Sequence, residues 1–129
     1  LAFDYLMRTK VDKSVVMYKF RESQLPHLTE DDEHFEDVWR KAARLNCYGE
    51  QFEDLADELG ITGEIVKPGP TEERRQTQAC LDAVVFDAYG FDQEDVEFIC
   101  DDFHRVNDAR LMDEEYFTQV KDEFERLNT

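Results

Sequence analysis

Hydrophobic residues along most of the chain recur three and four positions apart, the spacing of one buried face of an α-helix. The clearest stripe precedes Gly90 and consists of Leu81, Val84, Val85, Ala88 and Tyr89. Gly90 suits the left-handed backbone position just past a helix end. Asp92 then caps a second helix, whose stripe is Val96, Ile99, Cys100 and Phe103. The pattern therefore predicts two helices that meet at a glycine corner.

Capping residues and turn residues divide the rest of the chain into further helices. One is capped at Thr29, with Asp32 in a capping pattern, and ends at Asn46. Another begins at Gly49 and ends at Gly60, with Phe52, Leu55, Ala56 and Leu59 directed inward. Thr71 caps the central helix, and the stretch 61–70 before it is rich in glycine and proline and predicts a loop. Asp113 caps the last helix, whose apolar stripe is Tyr116, Phe117, Val120, Phe124 and Leu127.

The N-terminal segment is less regular. Residues 1–8 fit a short helix. Residues 15–23 fit a helix as well, although Val16, Tyr18 and Phe20 also alternate as in a strand. The prediction is a mainly α fold: a small single domain of six to seven helices, with a minor short β element near the N-terminus left open.

The charge of the chain is far from balanced. It has 32 acidic and 15 basic residues, for a net charge of −17. Disorder is a poor explanation, because 41% of the residues are hydrophobic and 12% are aromatic. We expect adaptation to high salt and a halophilic, haloarchaeal source, since the Debye length falls to about 3 Å at molar salt and self-repulsion is screened. An acidic surface that binds a basic partner has the same composition.

The three cysteines, Cys47, Cys80 and Cys100, are odd in number and lie in or beside helical stripes. Buried free thiols in a reducing compartment are expected. No apolar run approaches the roughly 20 residues of a membrane span. The sequence therefore predicts a cytoplasmic protein with no membrane partner.

Two segments resemble the C-terminal region of large adenine-specific DNA methyltransferases of type II restriction-modification and phage-defence systems. The first segment carries Phe3, Asp4, Tyr5, Arg8, Lys10, Val11, Tyr18, Phe20, Gln24, Leu25 and Pro26. The second carries Asp82, Ala83, Tyr89, Gly90, Phe98, Ile99 and Phe103, preceded by Arg74 or Arg75. Asp12 and Lys13 replace the Gly-Gly pair that is usual in the family's first segment.

The resemblance implies that residues 1–28 are the end of a target-recognition region and residues 29–129 a helical C-terminal domain. Because Leu1 already lies within an apolar pattern, we expect a non-catalytic fragment of a longer enzyme. The parent would be a methyltransferase that uses S-adenosylmethionine, with or without restriction activity. The fragment would contact the remainder of the same polypeptide, and DNA through the parent enzyme.

Basic residues are concentrated near the N-terminus. The candidates for a position close to DNA are Arg8, Lys10, Lys13, Lys19 and Arg21. With Asp4 and Asp12 they give residues 1–21 a charge of 5 − 2 = +3, which leaves −20 for residues 22–129. Only the N-terminal part can face phosphate without strong repulsion. Ordinary surface variation explains the same count.

The chain lacks the motifs of the expected catalytic chemistry. It has no Asn-Pro dipeptide to hold a flipped adenine, no glycine-rich turn for the methyl donor and no Glu-x-Lys nuclease motif. His27, His34 and His104 have no metal-ligand neighbours at useful spacing along the chain. We therefore expect no catalytic, cofactor-binding or metal site here. The alternatives are an acidic helical protein-interaction module and, less favoured, a DNA mimic.

Overall fold

The computed structural model describes residues 1–8, 25–104 and 113–129. The described residues form six α-helices and two short 3₁₀ turns, with no strand among them, which confirms the predicted mainly α small domain. The helices are α1 (Ala2–Arg8), α2 (Phe35–Asn46), α3 (Glu53–Glu58), α4 (Glu72–Ala88), α5 (Gln93–His104) and α6 (Glu114–Leu127). The segment 15–23, where a strand was the alternative to a helix, lies outside the described residues.

The polar residues predicted to cap three of the helices do so. Thr71 Oγ1 accepts a hydrogen bond from Arg74 N at 3.2 Å, and Asp113 Oδ1 accepts one from Tyr116 N at 2.9 Å. Asp92 Oδ1 accepts from Asp95 N at 3.0 Å. Each bond pairs one of the amides that a helix leaves unpaired at its start, so the predicted and observed starts agree.

Two other helix starts lie later than predicted. Thr29 and Asp32 form a hydrogen-bonded turn, in which Asp32 Oδ2 accepts from Thr29 N at 2.7 Å, and α2 begins only at Phe35. Gly49, with a φ of 107°, precedes a 3₁₀ turn over Glu50–Phe52, and α3 follows at Glu53. At Thr29 a side-chain hydrogen bond, and at Gly49 a backbone turn bond from Phe52 N, pairs backbone groups before regular helix begins.

The glycine corner is present as predicted. Helix α4 ends at Ala88, and Gly90 follows with a φ of +77°, a backbone conformation that is strained for residues with a side chain. Gly90 N donates to the Asp87 carbonyl at 2.8 Å, and Phe91 stacks on Tyr89 with ring centroids 5.3 Å apart. The turn therefore places α5 directly after α4 in a defined direction.

The main core lies where α4, α5 and α6 meet and where α1 packs against α4 and α5. Its fully buried aromatic residues are Phe86, Phe103 and Phe124. The predicted stripe of α5 is buried throughout, and that of α6 is buried except for Leu127. On α4, Val84 of the predicted stripe is fully buried, but so are Ala79, Ala83 and Phe86, which lie outside it. Helix α4 contacts both α2 and α6, so it buries more than one face.

A second, smaller cluster joins the end of α2 to α3 and the following loop. It is formed by Cys47, Ala56 and Ile61, with Trp39 and Phe52 packed against it. Leu55, which was expected to point inward, is 43% exposed, because the short α3 buries only the Ala56 face. Val66 is fully buried, and its amide donates to the Arg44 carbonyl at 2.9 Å. The loop is thereby held against α2.

The core predicts a large difference between two phenylalanines. Replacing the fully buried Phe86 by alanine removes a ring from the contact of α4 with its neighbours and should lower the free energy of unfolding by about 3–5 kcal/mol. The matched control is Phe98→Ala on α5, because Phe98 is 66% exposed. Its effect should stay within about 0.5 kcal/mol. Urea denaturation measures both, and equal effects would contradict this packing.

Candidate functional site

The later helices α2–α6 are called the helical unit below. Helix α1 is attached to this unit by two polar contacts. The Leu1 backbone nitrogen donates to Asp82 Oδ1 on α4 at 2.8 Å. The Tyr5 hydroxyl donates to Asp102 Oδ2 on α5 at 2.9 Å. The contacts lie one helical turn apart on α1 and reach two different helices. They therefore fix both the position and the rotation of α1.

Asp82 is the centre of this attachment. Its second oxygen, Oδ2, accepts a hydrogen bond from the hydroxyl of Tyr116 on α6. Tyr116 is only 5% exposed, and burial together with the Asp82 charge raises the pKa of its phenol. The phenol consequently stays protonated and remains a donor at all ordinary pH values. One carboxylate thus ties α1, α4 and α6 together.

Tyr5 makes one apolar contact and one polar contact. Its ring lies against Phe103 of α5, with centroids 6.1 Å apart. Burial, and then the hydrogen bond to Asp102, raises the pKa of the Tyr5 phenol. Ala2, at the start of the same helix, is almost completely buried in the main core. The described part of the N-terminal segment is therefore packed into the helical unit.

The predicted DNA-proximal residues fall almost entirely outside the described part of the chain. Arg8 is the last residue of α1. Lys10, Lys13, Lys19 and Arg21 lie in the stretch 9–24, outside the described residues. Their role stays a prediction. The boundary between residues 1–28 and 29–129 also stays a prediction.

The residues that carry the family resemblance divide into two groups in the structure. Asp82 contacts Leu1, and Phe103 contacts Tyr5. Phe98, by contrast, is 66% exposed. The sequence places Tyr116 on the apolar side of the last helix and indicates a helix start or a solvated face for Asp102. It does not indicate that they bond to Asp82 and Tyr5. The one signal in the sequence was an acidic residue, Asp82, next to an apolar stripe, which predicts a buried partner without identifying it.

A second cluster of chemically capable groups lies where α2 begins and α4 ends. His34 Nε2 is 2.7 Å from Asp87 Oδ2 and 3.6 Å from Glu33 Oε1. One ligand atom from each of the three residues lies within 4.8 Å of the others, and among the described residues no other such group is found. The side chains of His34 and Asp87 are 19% and 27% exposed. The expected absence of a metal site stays a prediction.

A surface groove of about 380 Å³ lies beside the smaller core cluster. Its lining includes the charged residues Glu50, Glu53 and Lys67 beside Cys47, Tyr48, Ala56 and Ile65. A Cβ atom at Gly49 would lie 2.7 Å from the side chain of Gln51, which would have to move to make room for it. The groove therefore combines apolar residues with charges of both signs.

No helix in residues 1–8, 25–104 and 113–129 combines the length and the apolar character that a membrane crossing requires. Comparisons of the chain with protein-family models, curated proteins and solved structures find no match. The function of the candidate site is therefore argued from its geometry and from the sequence.

The Asp82 contacts predict a specific loss of stability. Asp82→Ala leaves the buried Tyr116 hydroxyl without its acceptor and should lower the free energy of unfolding by about 1–3 kcal/mol. Tyr116→Phe in the same chain should restore part of that loss, because the orphaned hydroxyl is then absent. Asp57→Ala on the exposed face of α3 is the control. Strictly additive effects in urea denaturation would contradict the pairing.

The thiol of Cys100 should be unreactive in the folded protein. Burial raises its pKa to about 12, so the nucleophilic thiolate is scarce at pH 8. Alkylation by iodoacetamide, followed by mass spectrometry, should modify Cys100 only after unfolding. Between pH 9.0 and about 12 only the unfolded thiol ionises, so the free energy of unfolding should fall over this range. Below pH 9.0 the thiol is protonated in both states, and its contribution to the stability is fully present. Equal labelling rates in the folded and unfolded protein would contradict this assignment.

Proposed function

We propose that this chain is the non-catalytic C-terminal part of an adenine-specific DNA methyltransferase, or of a fused restriction-modification enzyme. In this proposal its helical unit holds the end of the target-recognition region in place against DNA. The protein is adapted to high salt and works in the cytoplasm. Catalysis belongs to the remainder of the polypeptide.

The observation that carries the proposal is a contact between the two segments that resemble the family. They lie far apart in the chain, at residues 1–28 and 71–103, and each resembles the family through its own residues. In the structure Tyr5 of the first segment contacts both Asp102 and Phe103 of the second. Two segments that belong to one functional unit are expected to pack together, and these do.

Charge supports the same division of roles. The basic residues Lys10 to Arg21 follow α1 directly in sequence, whereas residues 22–129 carry −20. A duplex would be repelled by the helical unit and attracted to the segment that α1 leads into. Because α1 is packed against the helical unit, it fixes where the basic segment begins relative to an acidic surface that repels phosphate.

The methyl donor and the flipped adenine are assigned to the parent protein. S-adenosylmethionine would supply the methyl group there. The glycines of this chain stand singly, at positions 49, 60, 63, 69 and 90, and form no cradle for it. No residue of this chain is given a chemical step.

The test uses the full-length enzyme with four substitutions in the basic segment, Lys10→Gln, Lys13→Gln, Lys19→Gln and Arg21→Gln. DNA affinity should fall, and the slope of log affinity against log salt should decrease by about 1 for each phosphate interaction that the substitutions remove. Lys67→Gln, on an exposed lysine of the helical unit, is the control and should change neither quantity. Affinity and methylation are measured on duplexes with many adenine contexts, at low and high salt.

The same assay tests positioning separately from charge. Tyr5→Phe removes the hydrogen bond to Asp102 and keeps the ring on Phe103, so it should reduce the preference among adenine contexts while the salt slope is retained. If the fourfold variant keeps the affinity, the slope and the context preference of the wild type, the proposal is wrong. An enzyme that lacks residues 1–129 but retains full selectivity would contradict it as well.

An acidic helical protein-interaction module is the second candidate, because one exposed aromatic residue lies among carboxylates. Phe98 shares the outer face of α5 with Glu94, Glu97 and Asp101, all of them exposed. A module of this kind would leave DNA selectivity unchanged in the fourfold variant and would lose its protein partner in Phe98→Ala.

A further inference from the structure

The geometry points to a binding site for one divalent transition-metal ion, of the Zn²⁺ class, formed by Glu33, His34 and Asp87. The site lies between the start of α2 and the end of α4. Its function would be to fasten these two helix ends to each other. The proposal is independent of the DNA-binding role.

One donor atom from each of the three residues lies within 4.8 Å of the others, close to the spacing that a metal ion needs. Zn²⁺ binds imidazole nitrogen and carboxylate oxygen at about 2.0–2.2 Å, which places tetrahedral ligands about 3.4 Å apart. His34 Nε2 is 3.6 Å from Glu33 Oε1 and 2.7 Å from Asp87 Oδ2, and the shorter of these is a direct polar contact that a bound ion would lengthen. Small side-chain rotations therefore bring all three atoms to ligand positions, with one position open to water.

Two of the ligands are already held in place. His34 precedes the first turn of α2, where its carbonyl accepts from Val38 N at 3.0 Å. Asp87 lies in the last turn of α4, where its carbonyl accepts from Gly90 N at 2.8 Å. Because α2 packs along α4, the two side chains meet without free rotation of either helix. Glu33, whose side chain is 86% exposed, is free to complete the set.

The electrostatics of the cluster favour a cation. Among the described residues, no lysine or arginine nitrogen lies within 4.0 Å of the Glu33 or Asp87 carboxylate. The positive end of α2 and the negative end of α4 each contribute about half a charge and roughly cancel. Two carboxylate charges then converge on one imidazole, which is neutral when it acts as a ligand. A divalent ion balances both.

Sequence spacing could not indicate this site. The expectation that His34 has no metal-ligand neighbours considered positions along the chain, and Asp87 is distant there. The contact between α2 and α4 brings the two residues together. A mixed imidazole and carboxylate set suits zinc, cobalt or manganese, and among these Zn²⁺ has the highest general affinity.

The experiment is a calorimetric titration of the full chain with Zn²⁺ in about 1 M KCl, where the Debye length of about 3 Å suppresses diffuse binding to the acidic surface. We expect one ion per chain, with a matching visible absorption band when Co²⁺ replaces Zn²⁺. His34→Ala and Asp87→Asn should each weaken binding at least about tenfold. His27→Ala, on an exposed histidine outside the cluster, should leave the affinity unchanged.

Circular dichroism verifies that each variant is folded. If Asp87→Asn does not fold, Glu33→Gln replaces it, since the exposed Glu33 side chain has no packing role. The proposal is overturned if wild-type protein binds no Zn²⁺ under these conditions. It is equally overturned if the His34 and Glu33 variants bind Zn²⁺ with the affinity of the wild type.

Discussion

The burial of α4 against several neighbours at once is the interaction on which the rest of the described structure depends. Ala79, Ala83 and Phe86 lie in the main core with α5 and α6, while the same helix packs along α2. Small residues at two of these positions let the neighbouring backbones come close. Because α4 contacts the other helices directly, the faces of α4 set their relative positions. The loops that connect the helices do not set them.

Polar contacts then make this packing specific. Asp82 accepts from both Leu1 and Tyr116, and so holds α1 and α6 at one level of α4. Arg75 reaches Asp113 at 2.7 Å and lowers the pKa of that carboxyl, chiefly through the hydrogen bond, at the start of α6. Apolar packing alone would permit these helices to slide. A partly buried carboxylate with two donors does not permit it without losing both bonds.

The acidic character of the chain is a surface property that the core does not share. Carboxylates occupy the first turns of the helices, where the helix dipole favours them, and the exposed faces between. Two of the arginines bond to backbone carbonyls within the fold: Arg74 donates to the Leu45 carbonyl at 3.1 Å, and Arg44 to the Glu64 carbonyl at 3.0 Å. The described helical unit thus combines an ordinary apolar core with a surface that repels phosphate.

The sequence by itself determined the helices, several of their ends and the buried faces of α5 and α6, because capping, glycine conformation and 3.6-residue periodicity are local effects. It did not determine that α4 is buried on more than one side, since periodicity indicates a single stripe. Nor could it place Asp102 beside Tyr5, or Asp87 beside His34. Those pairs exist only because helices distant in sequence pack together, and that packing is decided by the whole core at once.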